Sequence, residues 1–161
     1  MTLRERFDSL FGRGPGSSSE APPATPSSER TPTLGDLRRR QTRTDRDRAT
    51  AKQYLPPSTT ERTVDGVVYW TFQIRCQLGR PYTMTAYFDG REYQVRVLEP
   101  DVIGKFSVVD GHVNKDGRLC LSPPNNGAES LAEAFSRSTI WATGFSIMQE
   151  TGKFPFSIHN Q

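Results

Sequence analysis

The sequence predicts an α+β fold in which an antiparallel β-meander of about four strands is flanked by an N-terminal helix and by C-terminal helices. Two observations support this prediction. Three segments between residues 66 and 99 are rich in β-branched and aromatic residues and are separated by short turn signals. Helical patterns lie before and after these segments and do not alternate with them, as expected when helices and strands are segregated along a chain.

The first long helix is predicted over residues 33–55. Thr33 is a suitable N-cap, and Leu34 and Leu37 begin an apolar stripe. Pro56 lacks the backbone N–H that a further turn of helix would need, so the helix is expected to end before it.

Three strands and one shorter candidate follow this helix. Strands are predicted over residues 66–78, 82–88 and 91–99, with Asp89-Gly90 as a two-residue hairpin signal between the last two. Residues 105–113 are extended in pattern and predict a fourth strand.

Two C-terminal helices are predicted, over residues 128–135 and 138–152. Ser138 is expected to cap the start of the second helix, and Gly152 its end.

Composition divides the chain into three parts. Residues 1–12 form a short amphipathic segment. Its apolar side chains fall on one helical face: Leu3, Phe7, Leu10 and Phe11. Residues 13–32 are almost entirely Gly, Pro, Ser, Thr, Ala and charged residues, which cannot bury enough apolar surface to offset their ordering entropy, so we expect a disordered linker. Residues 33–161 hold the expected folded domain.

The positive charge of the chain is concentrated near its start. The formal net charge is +3, and 12 of the 21 Lys and Arg residues lie in residues 1–62. Six arginines fall in the stretch RRRQTRTDRDR, residues 38–48. They either line a solvated helix face or contact an acidic surface. Residues 63–161 are close to neutral, so no nucleic-acid partner is expected.

The composition also bears on compartment and cofactors. No apolar run approaches the length of a membrane span, and residues 1–14 lack the apolar core of a secretory signal. The two cysteines are therefore expected as free thiols in the cytoplasm. No phosphate-binding loop, glycine-rich dinucleotide turn or zinc-type Cys/His spacing occurs, so no cofactor or metal is expected.

The stretch DGRLCLSPP, residues 116–124, singles out Cys120. Residues alternate in direction along an extended chain, so inward-facing Leu119 and Leu121 would leave the Cys120 thiol facing outward. An accessible thiol suits nucleophilic chemistry, whereas a buried cysteine is usually inert. Cys76 contrasts with it, because Cys76 shares an apolar strand face with Trp70, Phe72 and Ile74 and is expected in the core.

Histidines provide possible partners for Cys120. His112 lies eight residues before it, across an Asp-Gly turn that could bring the two together, or it is an ordinary surface residue of a turn. His159 and Asn160 would complete a Cys–His–Asn set in the chain order of papain-like hydrolases. Against this interpretation, residues so close to the end of a chain are seldom held rigidly.

The residues HVNKDGRLCLSPP are similar to the active-site stretch of ubiquitin-conjugating enzymes. In that family a His-Pro-Asn triplet precedes the motif Gly-x-Ile-Cys-Leu. The Gly, Ile, Cys and Leu of this motif correspond to Gly117, Leu119, Cys120 and Leu121. The form seen here resembles the shorter prokaryotic branch of the family. Weaker similarity extends over residues 33–156, through a leading helix, a meander, the cysteine loop and a later tryptophan.

The resemblance implies an activity, partners and site residues. Cys120 would accept a ubiquitin-like protein from a ubiquitin-activating-like enzyme as a thioester and transfer it to an amine, usually a lysine, of a target protein. His112 stands where the family has the asparagine of the triplet, and Asn114 is a nearby amide that could replace it. Ser122 is a polar neighbour of the thiol, as are Asn125 and Asn126.

The resemblance also assigns a role to the arginine-rich helix and leaves an alternative function open. Arg38, Arg39 and Arg40 would contact an acidic surface of the activating enzyme. The alternative is a catalytically inactive relative that binds a ubiquitin-like protein or a scaffold. The missing triplet favours this alternative, and the retained Cys120 favours the enzyme.

Overall fold

The computed structural model describes residues 2–11, 31–122 and 127–155. These residues form an α+β fold in which one four-stranded antiparallel sheet is flanked by helices. The elements are α1 (Leu3–Phe11), α2 (Leu34–Tyr54), β1 (Thr60–Val64), β2 (Val67–Arg75), β3 (Pro81–Phe88), β4 (Tyr93–Glu99), α3 (Val108–Gly111) and α4 (Leu131–Thr151). The predicted linker, residues 13–32, lies largely outside the described residues, so its disorder stays a prediction.

The sheet is a meander whose strand order follows the chain, β1-β2-β3-β4. All three strand pairs are antiparallel, and a register shift at Thr83/Met84 interrupts the pairing of β3 with β4. The inner face of the sheet packs against α4 and α2 and holds the main core. Its largest buried side chains include Trp141, Tyr82, Tyr93, Phe72 and Phe145.

Helix α1 lies on the opposite, outer face of the sheet. Phe7 is buried there with Tyr69 and Leu98, in a hydrophobic cluster separate from the main core. The other apolar residues of α1 pack against the same cluster, which confirms the predicted amphipathic face: Leu3, Leu10 and Phe11. Both faces of this antiparallel sheet are therefore covered over part of their area.

The leading helix matches its prediction at both ends but not along its packing face. Thr33 is the N-cap of α2, accepts a hydrogen bond from the Asp36 N–H and forms a reciprocal capping box with it. Leu34 and Leu37 are exposed, however, so they do not begin an apolar stripe. The residues of α2 that are buried lie farther on, at Asp47 and Ala51.

Three predicted strands are confirmed, and the fourth prediction is wrong. Residues 105–113 are not a strand, because Ser107 caps a single helical turn, α3, by accepting a hydrogen bond from the Asp110 N–H. The fourth strand is β1, whose residues TERTV carry only one aliphatic side chain and gave no strand signal. The turn after β3 lies where Asp89-Gly90 predicted it, although four residues separate the two strands.

The two predicted C-terminal helices are one continuous helix of 21 residues, α4. Ser130 is its N-cap, and Gly152 its C-cap as predicted. Ser138 is not a cap. It is buried in the middle of α4, where its hydroxyl donates to the carbonyl oxygen of Ala134 four residues earlier. A serine can satisfy its hydroxyl inside a helix in this way, which is why the cap pattern misled.

Candidate functional site

Cys120 lies at the end of a short hairpin that begins at His112. The backbone N–H of Asn114 donates to the carbonyl oxygen of Arg118 at 2.7 Å, and the Gly117 N–H donates back to the Asn114 carbonyl at 2.9 Å. Gly117 has φ +86°, which favours glycine at this tight reversal. The Cys120 N–H then donates to the His112 carbonyl at 3.0 Å, so the structure brings these two predicted site residues together.

Strand β4 and helix α4 hold this hairpin from two sides. On the strand side, the Leu119 N–H donates to the Val95 carbonyl at 2.8 Å. On the helix side, Arg137 Nη1 donates to the Leu121 carbonyl at 2.7 Å, and Trp141 Nε1 donates to the Gly111 carbonyl at 2.8 Å. The cysteine therefore sits on backbone that is fixed immediately before and after it.

The structure corrects the prediction that the Cys120 thiol faces solvent. Leu119 and Leu121 point inward and are fully buried as predicted, yet Cys120 is itself only 5% exposed. The backbone of the segment is bonded on both edges, to β4 and to His112, so it is held in place with its thiol covered. Burial raises the pKa of the Cys120 thiol, because a thiolate loses hydration there.

His112 occupies an unusual backbone conformation beside the cysteine. It ends α3 with φ +49° and ψ +37°, in the left-handed region. Its ring meets the ring of Phe154 edge-on, with 4.6 Å between centroids. Asn is a residue other than Gly that adopts this conformation readily, so the backbone of this position would also accept an asparagine.

Asn114 and Ser122 have structural partners. The Asn114 side-chain amide donates to the Arg118 carbonyl at 3.1 Å and so reinforces the hairpin. The Ser122 hydroxyl donates to the Gly127 carbonyl and joins the two ends of the segment that follows Cys120. Asn125 and Asn126 lie outside the described residues, as do His159 and Asn160.

The hairpin carries a polar cluster on its outer side. Asp116 Oδ2 accepts hydrogen bonds from Arg118 Nε at 2.7 Å and from Arg96 Nη2 at 3.3 Å. Burial opposes ionisation of Asp116, but its bonds to Arg118 and the charge of Arg96 outweigh it and lower the pKa of the carboxyl. Sequence reasoning missed Arg96 and Arg137, since neither belongs to a motif or an apolar period.

The predicted docking arginines lie on the first half of α2. Arg38, Arg39 and Arg40 are exposed, and Arg39 pairs with Asp36. Hydrogen bonds from Thr33 and Arg39 lower the pKa of Asp36 to about 2. Arg38 and Arg40 form no ion pair among the described residues, so both guanidinium groups are available to an acidic surface.

Cys76 lies in the core as predicted, but it belongs to a polar cluster within that core. Its Sγ is 3.2 Å from Ser146 Oγ, which in turn is 2.5 Å from the Tyr82 hydroxyl. Burial disfavours the Cys76 thiolate, yet the hydrogen bonds from Ser146 and from backbone N–H groups outweigh it and lower the pKa of the thiol. The two cysteines thus differ in the direction of their pKa shifts.

Within residues 2–11, 31–122 and 127–155, no group of three or more His, Cys, Asp or Glu side chains could hold a metal ion. None of the helices in those ranges has both the length and the apolar character that crossing a bilayer requires. Comparisons of the chain with protein-family models, with curated proteins and with solved structures find no match.

Proposed function

We propose that this protein is a conjugating carrier that accepts a ubiquitin-like protein on Cys120 as a thioester and transfers it to an amine of a target protein. The fold would then be that of the ubiquitin-conjugating enzymes, and the activity would need no cofactor on this chain. The observation that carries the proposal is the hydrogen bond from the Cys120 N–H to the His112 carbonyl, because it joins the matched cysteine to the residue that stands where the family has asparagine.

The loading step needs an ionised thiol. The Cys120 thiolate attacks the thioester carbonyl carbon that the activating enzyme carries, a new C–S bond forms, and the activating enzyme leaves as a thiolate. A thiol with a raised pKa supplies little thiolate at neutral pH, and one that is 5% exposed must be uncovered first. Loading is therefore expected to depend on a partner that opens the Cys120 segment.

The transfer step needs stabilisation of negative charge. An amine attacks the Cys120 thioester, a C–N bond forms, and the carbonyl oxygen becomes an oxyanion. Collapse re-forms the carbonyl and breaks the C–S bond, so that Cys120 leaves as a thiolate, and the amine proton passes to water or to that thiolate. A hydrogen-bond donor aimed at the oxyanion typically contributes about 3 kcal/mol. His112 is the candidate donor because its imidazole carries an N–H and its backbone is bonded to that of Cys120, and Asn114 is the second candidate.

Two cysteines in one chain make the proposal directly testable. The protein is mixed with ATP and with the activating enzyme and ubiquitin-like protein encoded nearest to its own gene. We expect an adduct that thiol reagents cleave in the wild type and in Cys76→Ser, and a thiol-resistant ester in Cys120→Ser. An activating enzyme that becomes charged itself yet never transfers to this chain would contradict the proposal.

The burial of Cys120 favours a second candidate function. A thiol that is buried and has a raised pKa also fits an inactive relative that binds a ubiquitin-like protein or a scaffold without forming a covalent bond. Cys120→Ala separates the two candidates. A carrier loses all transfer with this substitution, whereas a binding module retains full affinity for its partner, as measured by titration calorimetry.

A further inference from the structure

We propose that Arg96 is a positioning residue that joins helix α1 to the hairpin preceding Cys120, so that docking of α1 on the outer face of the sheet keeps Cys120 covered. This inference deepens the proposed function, because it names what controls access to the same thiol. Its test measures access to the thiol alone, so that it can fail or succeed independently of conjugation.

The first observation is how α1 is held. Its Phe7 ring meets the Tyr69 ring edge-on at 5.2 Å between centroids, and its Phe11 ring lies 4.6 Å from the same Tyr69 ring. Two ion pairs flank this aromatic contact: Arg6 to Asp101 at 2.8 Å and Arg62 to Asp8 at 2.6 Å. The helix is thus seated by specific side-chain contacts on a surface outside the main core.

The second observation is that α1 depends on this surface. It has nine residues, and helices shorter than about 12 residues are marginal on their own in water. A connection of Gly-, Pro- and Ser-rich composition, residues 12–33, follows it in the sequence. Such a helix docks and undocks in a local equilibrium whose free energy is smaller than that of global unfolding.

The third observation is that Arg96 touches both α1 and the hairpin. Its guanidinium carbon lies 4.6 Å from the centroid of the Phe11 ring, and its Nη1 donates to the Leu10 carbonyl at 3.4 Å. Its Nη2 donates to Asp116 Oδ2 at 3.3 Å. The Arg96 Nε is buried and has no hydrogen-bond partner among the described residues, so the guanidinium depends on these contacts.

Undocking of α1 removes two of the three contacts described for this guanidinium. Without Phe11 and the Leu10 carbonyl, Arg96 gains access to water, which competes for the hydrogen bond to Asp116. Arg118 remains bonded to Asp116, so the hairpin is weakened and not abolished. Because Asp116 lies four residues before Cys120, a looser hairpin opens the thiol more often.

The test is the rate at which a thiol reagent, Ellman's reagent, labels Cys120 in the full chain carrying Cys76→Ser. Phe11→Ala should undock α1, which hydrogen exchange of the α1 amides verifies, and should raise the labelling rate about 3- to 10-fold. Ser9→Ala, an exposed change on the same helix, is the control and should leave the rate unchanged. Faster exchange in α1 with an unchanged labelling rate would overturn the proposal.

A double-mutant cycle assigns the coupling to Arg96. In a chain that carries Arg96→Gln, or Asp116→Asn at the other end of the contact, Phe11→Ala should no longer accelerate labelling. Two alternative variants are used because one of them could destabilise the fold, which urea unfolding reports. An equal acceleration by Phe11→Ala with and without the Arg96–Asp116 contact would show that the effect travels by another route and would refute the role of Arg96.

Discussion

The phenolic hydroxyl of Tyr93 hydrogen-bonds both carboxylate oxygens of Asp47 at 2.8 Å and thereby joins helix α2 to strand β4 across 46 residues of sequence. Both side chains are buried. Burial raises the pKa of Asp47, and the bond from Tyr93 and the charges of Arg46 and Arg43 offset this only in part. Burial together with the Asp47 charge raises the pKa of Tyr93 to about 12.

This pair predicts a specific dependence of stability on pH. Folded Asp47 binds its proton more tightly than the unfolded residue, whose pKa is near 3.8. Its contribution to the free energy of unfolding therefore falls as pH rises from about 3.8 through the folded pKa and stays low above it. Asp47→Asn should remove this fall, as urea unfolding between about pH 4 and pH 7 would show. Equal pH slopes in the two proteins would contradict the assignment.

Removing the donor of the same pair should be costly. Tyr93→Phe leaves the buried Asp47 carboxylate without its hydrogen bond, which we expect to lower the free energy of unfolding at pH 7 by about 1–3 kcal/mol. In a chain that already carries Asp47→Asn, the same change should cost less, because no buried charge is then stranded. Urea titration of the four proteins of this cycle measures the difference.

The two thiols should titrate on opposite sides of the ordinary cysteine pKa of 9.0. Cys120→Ser leaves Cys76, whose hydrogen bonds to Ser146 and to backbone N–H groups should give a pKa below that value. Cys76→Ser leaves Cys120, whose burial should give a pKa above it. Thiolate absorbance measured against pH in each variant tests this order, and coincident titrations would rule out the described environments.

His112 is predicted to act in transfer and not in loading. His112→Ala removes the candidate donor and should slow discharge of the Cys120 thioester to free lysine by about 100-fold. His112→Asn should retain discharge, because Asn supplies a donor and adopts the left-handed backbone of this position with little strain. Loading rates should be similar in all three proteins. Slow discharge by His112→Asn together with normal discharge by His112→Ala would contradict this role.

Gly111 should tolerate no side chain. It is buried, and an added Cβ would lie 2.9 Å from the Phe106 Cβ and 3.3 Å from the Val113 Cγ1. Gly111→Ala is expected to lower the free energy of unfolding by about 1–3 kcal/mol through this crowding. The matched control is Gly35→Ala at the exposed start of α2, where the nearest atoms are 3.7 Å away and alanine should be neutral or stabilising by up to about 1 kcal/mol.

The exposed arginines of α2 should affect the rate of loading. Reversing Arg38, Arg39 and Arg40 to Glu is expected to slow thioester formation, and more strongly at low salt because screening is weaker there. A second triple reversal gives the same change in net charge at exposed sites elsewhere on the chain and serves as the control: Lys52, Arg91 and Lys153. Equal slowing by both sets would indicate a general charge effect and exclude a docking site.

Much of the fold could be predicted because its signals are local. The strands β2, β3 and β4 carry aromatic and β-branched residues, and α2 begins at a capping threonine, Thr33. The errors occur where tertiary contacts override local preference. Strand β1 has little apolar character, and it is a strand because its backbone pairs with that of β2. Helix α4 continues through Ser138 because the Ser138 hydroxyl is hydrogen-bonded to the Ala134 carbonyl inside the helix.

The chain reversal before Cys120 was predictable, but the environment of the thiol was not. The Asp-Gly turn allowed His112 to return to Cys120, and the structure shows this as a backbone hydrogen bond. Alternation correctly turned Leu119 and Leu121 inward. The burial of Cys120 was not predictable, because its segment is held by residues distant in the sequence, including Val95 and Arg137. The likeness to conjugating enzymes rests on the sequence motif and stays a proposal.

The hydrogen bond from Trp141 to the Gly111 carbonyl gives this protein an intrinsic optical reporter. The indole is fully buried, stacks on Phe145 at 4.5 Å between centroids, and is bonded to the residue directly before His112. Movement of the hairpin would change the polarity around that indole and shift its fluorescence emission. With Trp70 replaced by Phe, the remaining signal would follow opening and closing of the cysteine segment in real time, without an attached dye.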